Sequence, residues 1–387
     1  MTLLGDATVA SSSEPGQPIR VMFCCDPRFY QHLAVAIASL LKNNQRHSLD
    51  ITVVSSGQDA AAERKLVSIL PYHPDAKVTI KHFGLEGFNA LPTSGHITVE
   101  TYLRILALDT LPPDCEKIIY LDCDLVVVST LDGLWEVDLG DYALAAVPDP
   151  YGAERPRVLG MPDSATYVNA GVLLINVKRW RDHDLAASII AYAEHEGDRL
   201  RYHDQDAINA LLHAETRILP FRWNCQARMF ETNRSFSARE RKAIAVATRD
   251  PAIIHYTTPQ KPWISTAYTP QRAIYRRYLA MTAWNGAPMR QSIDDLPEAL
   301  YNRIANACGS SLPYKRFLES TNAGRVIFRS WQAVGWIASL LRTDAVSKVF
   351  RRTTTGAPKA GRRYRPDAGL SRPAWPDAVD PVQRDMP

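Results

Sequence analysis

Two aspartates one residue apart, Asp122 and Asp124, interrupt an apolar run. Residues 117–135 read KIIYLDCDLVVVSTLDGLW, with β-branched and aromatic residues on both sides of D-C-D. A run of this kind reads as a strand buried on both faces. Carboxylates at the end of such a strand are costly unless something offsets their charge. Side chains two apart in a strand point to the same side. Asp122 and Asp124 could therefore converge on one hard cation; the plain alternative is that they cap the next turn. His255 ends another apolar run, either as a structural histidine or as a third ligand. An Asp–imidazole set suits Mn2+ better than Ca2+. Lys261 sits in the proline-bounded turn PQKP, either solvated or neutralising a phosphate. Arg104 shares a predicted helical face with Thr101, Ile105 and Leu108, as a snorkelling surface arginine or a second diphosphate partner. Asp26 closes the first apolar run and could accept from a base N–H, with Phe29 or Tyr30 packing on the ring. Together these groups describe a site for a nucleoside diphosphate whose phosphates are bridged by a metal acting as a Lewis acid.

The elements that must position them follow from periodicity. Strands are predicted at residues 19–25, 49–55 and 77–83, with helices at 30–44 and 60–70, the latter closed by Pro71. A helix over 98–109 precedes the D-C-D strand. A short strand at 144–147 leads into a loop rich in Pro, Gly and Arg. Residues 167–176, YVNAGVLLIN, form the next buried run, and Gly171 would let another group approach the backbone closely. One long helix is predicted over 178–196, then a helix opened by H-D-Q-D at 203–206, where Asp204 could be an N-cap. A helix over 271–284 closes this region. Strands alternating with helices indicate an α/β domain with a mostly parallel, Rossmann-like sheet flanked by helices. Ligands of such sheets bind beyond the carboxyl ends of the strands, where Asp26, Asp122 and Asp124 fall.

The chain has 387 residues, 46% hydrophobic and 22% charged, which suits a large α/β domain with an appendage. A net charge of +4 makes no general case for nucleic acid as a partner. Six cysteines without a CxxC pair indicate buried free thiols in a reducing cytoplasm. Residues 1–18 read as a disordered tail without signal-peptide character, residues 19–284 as the catalytic domain and residues 285–352 as a helical extension. No apolar run reaches the length of about 18 residues expected of a membrane span. Within the extension, Ile327, Trp331, Val334, Ala338, Leu341 and Ala345 fall on one helical stripe among arginines. Residues 351–365 hold six basic and no acidic residues, and 353–387 read as a disordered tail. Residues 324–365 thus form a basic amphipathic segment suited to an anionic membrane surface, or else a helix packed on the catalytic domain.

In order, CCDPRFYQHLAVAIASLL, TYLRILALDTLPPDCEKIIYLDCDLVV, YVNAGVLLINVKRW, HDQDAINALL and HYTTPQKPW resemble glycosyltransferase family 8, the group of bacterial lipopolysaccharide galactosyl- and glucosyltransferases and glycogenin. The resemblance spans roughly residues 20–284. It implies a GT-A fold, a UDP-hexose donor and retention of anomeric configuration. It implies uridine contacts at Asp26 and Phe29, and Arg104 near the sugar and diphosphate. The metal, Mn2+ or alternatively Mg2+, would be held by Asp122, Asp124 and His255. Donor-sugar contacts would fall on Asn169, Asp204 and Gln205, and the diphosphate lysine on Lys261. Two departures stand out. Thr258 occupies a position where the family usually has glycine, and Pro27-Arg28 stands where Asp-Asn is frequent.

Retention allows two routes. Double displacement needs a nucleophile; Gln205 matches the position but is a poor one, and Asp204 is chemically better. Front-face attack, the favoured reading, has a leaving phosphate oxygen take the acceptor proton while the Gln205 carbonyl dipole stabilises an oxocarbenium-like sugar. The acceptor would be a cell-envelope glycan or glycolipid, such as lipopolysaccharide core, reached from the cytoplasm or the inner face of its membrane. A metal-dependent nucleotidyltransferase is the alternative enzyme, but residues 20–45 lack a glycine- and basic-rich triphosphate loop. An inactive membrane scaffold would more naturally have lost one of the three metal ligands.

Overall fold

The computed structural model describes residues 17–288, apart from 86–87, 89–90, 93–98, 231–235, 265–268 and 270. The basic stripe at 324–352, the tails before residue 17 and after 352, and Cys308 lie outside the described residues. Two sheets carry the site. Strands β1 (Ile19–Cys25), β2 (Leu49–Ser55), β3 (Ala76–His82), β4 (Lys117–Leu121), β6 (Leu144–Pro148), β7 (Val168–Asn176) and β8 (Thr216–Ile218) form a seven-stranded sheet ordered β3-β2-β1-β4-β7-β6-β8. Strands β5 (Leu125–Val127), β9 (Cys225–Gln226) and β10 (Ile253–His255) form a small sheet ordered β5-β10-β9. In the large sheet only β7 runs against its neighbours.

Both faces of the large sheet are buried, which explains the near-continuous apolar runs. Along β1, Val21 and Phe23 join Leu33, Ile37 and Leu40 of the helix Tyr30–Asn43 in one cluster. Met22 and Cys24 face the other way, among Leu103, Ile105, Ala207 and Ile208. The period of two in a strand thus assigns successive residues to opposite cores. The five described cysteines are buried and free, as expected.

Four local expectations change before residue 200, and the helix predicted over 271–284 spans only Arg272–Leu279. The run through D-C-D is two strands, not one. The Asp122 N–H still donates to Gly171 O in the large sheet, whereas Asp124 O accepts from Tyr256 N–H in the small one. Cys123, between them, is buried with Sγ 3.3 Å from Cys24 O, so the chain turns at this residue. The predicted helix at 98–109 is a tighter succession, 3-10 at Val99–Tyr102, α at Leu103–Leu106 and 3-10 again at Ala107–Thr110. Val99, Thr101 and Tyr102 are weak helix formers, consistent with that tightening. The long helix at 178–196 breaks into Val177–Asp182 and Leu185–His195, because Asp184 takes a left-handed φ of 47°. Aspartate is among the few residues that adopt this conformation readily. Finally, Pro71 lies inside a 3-10 turn, Leu70–Tyr72, after the helix Ala60–Val67 has ended.

Candidate active site

Asp122 and Asp124 converge because they occupy the passage between sheets, with His255 alongside on β10. Leu125 of β5 pairs with His255, which brings the imidazole to the passage. His255 Nε2 lies 3.0 Å from Asp124 Oδ1 and 3.5 Å from Asp122 Oδ2. One ligand atom from each of the three residues lies within 4.8 Å of the others. Adjacent ligands of an octahedral ion bound at 2.0–2.1 Å sit about 3 Å apart, so this two-oxygen, one-nitrogen set fits one small divalent cation. The approach is close enough to demand glycine on β7. A Cβ at Gly171 would fall 2.2 Å from His255 Cε1 and 2.5 Å from Asp122 Oδ2.

The cluster's charges are matched by two cations. Lys261 Nζ lies 2.5 Å from Asp124 Oδ2 and donates to Tyr256 O at 2.6 Å. Burial alone would raise the Asp124 pKa, but Lys261 and His255 outweigh it and hold the carboxyl well below its usual range. Arg104 lies beneath, over the Tyr120 ring at 4.8 Å, with NH2 3.1 Å from Asp122 Oδ1 and Nε 2.9 Å from Asp204 Oδ2. Its NH1 donates to Ala170 O at 2.6 Å, tying it to β7. Burial opposes its charge, but Asp122 and Asp204 more than offset this and raise its pKa. Asp204 bears the cost of the arrangement: burial, joined by Asp122 and opposed by Arg104, leaves its pKa pushed up to about 6. Asp204 is the first residue of the helix Asp204–Leu212 and His203 takes the N-cap position, so the N-cap expectation for Asp204 is replaced by the Arg104 contact.

Gln205 is fixed on four sides. Its Oε1 accepts from Ala170 N at 3.0 Å and Asn169 Nδ2 at 3.1 Å. Its Nε2 donates to Asp149 Oδ2 and to Tyr167 Oη, both at 3.1 Å. The carbonyl dipole therefore points at β7 in this arrangement. Behind it, Asp206 is fully buried and takes Arg155 through Nε at 3.1 Å and NH2 at 2.6 Å, Tyr167 Oη at 2.5 Å, and the backbone N–H groups of Arg201 and Tyr202.

These groups line one cavity of about 640 Å³, which takes in Arg104, Asp122, Asp124, Asn169, Asp204, Gln205, His255, Thr258 and Lys261. Asp26 and Phe29 are not among its lining residues. Both Asp26 oxygens are engaged by Arg28, through Nε at 2.9 Å to Oδ1 and NH2 at 3.1 Å to Oδ2. Phe29 is 38% exposed and edge-on to Trp263, whose ring stacks on His32 at 3.5 Å. The Arg28 departure noted in the sequence thus occupies the carboxylate expected to read a base.

Sequence reasoning missed Asp149, Asn224 and Tyr120. Asp149 follows the last residue of β6, so the strand-end rule that flagged Asp26 applied equally to it. Tyr120, whose hydroxyl donates to Asp122 Oδ1 at 2.7 Å, was hidden as one more aromatic in a strand. Asn224 carried no signal: it reaches His255 across 31 residues and Asn169 across 55.

The sequence model of glycosyl transferase family 8 matches residues 20–267. The chain belongs to glycosyl transferase family 8. As a family 8 chain it is a glycosyltransferase of GT-A fold. It is 29% identical over 273 residues to General stress protein A of Bacillus subtilis (strain 168), spanning 69% of this chain and 95% of that protein. It is 24% identical to a lipopolysaccharide 1,2-glucosyltransferase of Escherichia coli, over 72% of this chain and 82% of that one. Among solved structures, galactosyltransferase LgtC in complex with donor and acceptor sugar analogs superposes with a TM-score of 0.62 at 26% identity, covering 69% of this chain and 99% of LgtC. Among the described residues, no helix of this family 8 enzyme is long and apolar enough to cross a membrane.

Proposed function

We propose that this family 8 glycosyltransferase moves a galactose or glucose from a UDP-sugar to a cell-envelope glycan, such as lipopolysaccharide core or a lipid-linked saccharide. The observation that carries the reading is the convergence of Asp122, Asp124 and His255 with Lys261 and Arg104 in one cavity. A divalent cation held by the three ligands, Mn2+ or Mg2+, would stabilise charge on the departing diphosphate. Lys261 and Arg104 would add positive charge beside it, and Asn169, Asp204 and Gln205 line the cavity where the hexose would lie. Asp26 and Phe29 would read the uridine once Arg28 gives way, and Thr258 borders the phosphates. Residues 19–284 would form the catalytic domain.

The reaction is assigned a front-face course. The acceptor hydroxyl oxygen bonds to the anomeric carbon on the side from which UDP departs. The bond from that carbon to the phosphate oxygen breaks, its electron pair stays on the oxygen, and the hydroxyl proton passes to it. Two features support this over double displacement. The Gln205 carbonyl oxygen already accepts two N–H bonds, and Asp204 is buried against Arg104. The lipopolysaccharide glucosyltransferase and LgtC likenesses support the hexose and the envelope acceptor. Residues 324–365 would hold the enzyme on the anionic inner face of the cytoplasmic membrane, where a lipid-linked acceptor resides.

UDP release from UDP-galactose and UDP-glucose with Mn2+ tests the donor and the metal together. Asp122→Asn and Asp124→Asn should abolish release while retaining the fold. Full activity in EDTA would end the metal reading, and a hexose covalently attached to Asp204 in mass spectra would end the front-face one.

A further inference from the structure

We infer that Asn224 is a positioning residue that selects the His255 tautomer and so makes Nε2 the metal-binding nitrogen. The inference rests on the metal reading above. One donor in the cluster has a fixed identity. The Gly171 backbone N–H can only donate, and it meets Asn169 Oδ1 at 3.0 Å. That contact orients the Asn169 amide. The Asn224 atom 2.8 Å from the same Oδ1 must then be a donor, its Nδ2. Asn224 Oδ1 is left facing His255 Nδ1 at 3.0 Å. An amide oxygen only accepts, so Nδ1 carries a proton and the neutral ring keeps its free lone pair on Nε2. Nε2 is the atom that faces Asp122 and Asp124.

A second fixed donor agrees. Ala170 N–H orients Gln205 Oε1, which leaves Asn169 Nδ2 as the group donating to it at 3.1 Å. Two consecutive backbone N–H groups of β7 thus set every amide from Gln205 to the imidazole. Burial makes the choice costly to reverse: Asn224 is 0%, Asn169 7% and His255 3% exposed. Turning the Asn224 amide over would set an N–H against the protonated Nδ1 and two oxygens against each other, in a place water does not reach. Orienting partners of metal-bound histidines typically contribute 10–100-fold in metal affinity. Asn224 supplies that function with a neutral amide, itself oriented from β7 of the large sheet.

The test is Mn2+ binding, counted by electron paramagnetic resonance of the free ion in the presence of UDP. Asn224→Leu removes the acceptor for Nδ1–H and should weaken Mn2+ by about 10–100-fold. Asn224→Asp keeps an acceptor there but sets an oxygen against Asn169 Oδ1, so it should lower stability while holding Mn2+ more tightly than Asn224→Leu. Should Asn224→Leu fail to fold, the 15N shifts of His255 in the Mg2+- and UDP-loaded wild type decide, with Nδ1 protonated and Nε2 bound as the expected state. Wild-type affinity in Asn224→Leu, equal losses in both variants, or a ring bound through Nδ1 would each overturn the inference. A wild type that binds no Mn2+ would overturn the metal reading and this inference together.

Discussion

Gly171→Ala tests how tightly the two sheets close around the cation site. The added Cβ would stand 2.2 Å from His255 Cε1 and 2.5 Å from Asp122 Oδ2. The first contact is roughly 1.3 Å short of an ordinary 3.5 Å carbon–carbon approach, so the ring has to move. Its backbone cannot follow easily, since β10 is paired with β5 on one side and β9 on the other. The side chain therefore rotates, breaks its Asn224 hydrogen bond and withdraws Nε2 from the ligand set. Overpacking of this kind costs about 1–3 kcal/mol of stability. Loss of a ligand nitrogen should weaken Mn2+ by at least the 10–100-fold typical of losing an orienting partner. Mn2+ titration followed by electron paramagnetic resonance measures the second effect, and thermal denaturation without metal the first. Gly140→Ala is the control: φ there is +48° and no atom lies within 4 Å of the added Cβ, so it should lower stability and leave Mn2+ affinity intact. Wild-type Mn2+ affinity in Gly171→Ala would show that the site does not depend on this approach.

Three further outcomes are expected. Asp204 has a folded-state pKa of about 6 against a reference of 3.8, so its contribution to stability is full below about pH 4 and is lost as pH rises through 6. Asp204→Asn should then be the more stable protein at pH 7 by up to about 3 kcal/mol, the pull of Arg104 on the charged form being already part of that shift, and the difference should vanish near pH 4 in metal-free melts. Asp206→Ala should destabilise by about 3–5 kcal/mol in denaturant titrations, because it strands the buried Arg155 guanidinium; a loss under 1 kcal/mol would contradict that view of the pair. Removing residues 324–387 should leave UDP-sugar hydrolysis nearly unchanged and abolish sedimentation with anionic liposomes, and added salt should release the intact protein; an intact protein that ignores such liposomes at low salt refutes the membrane role.

The larger elements were legible because burial on both faces of a sheet leaves its mark on consecutive residues. β1 and β2 run over the predicted residues, and the strand ends alone pointed to Asp122, Asp124 and His255. Where local propensity competed with a specific contact, the reading failed. Nothing in residues 178–196 marks Asp184 as left-handed, and nothing in 98–109 says that three short turns will replace one helix. For Asp204 a cap stood open beside a donor-side role, because a helix start is a local pattern; its contact with Arg104 spans 100 positions.

The sequence by itself determined the sheet-and-helix alternation, the aspartates and histidine at strand ends and the family pattern they compose, because each is written in neighbouring residues. Only the tertiary structure decided that D-C-D is a crossover between two sheets, that Gly171 is required by the His255 ring, and that Arg28 holds Asp26. It alone shows that backbone N–H groups of β7 orient Gln205, Asn169, Asn224 and finally His255. The reason is physical. A side chain's chemistry is carried by its own residue, but the direction in which an amide or imidazole presents its lone pairs is set by whichever fixed donors folding brings beside it.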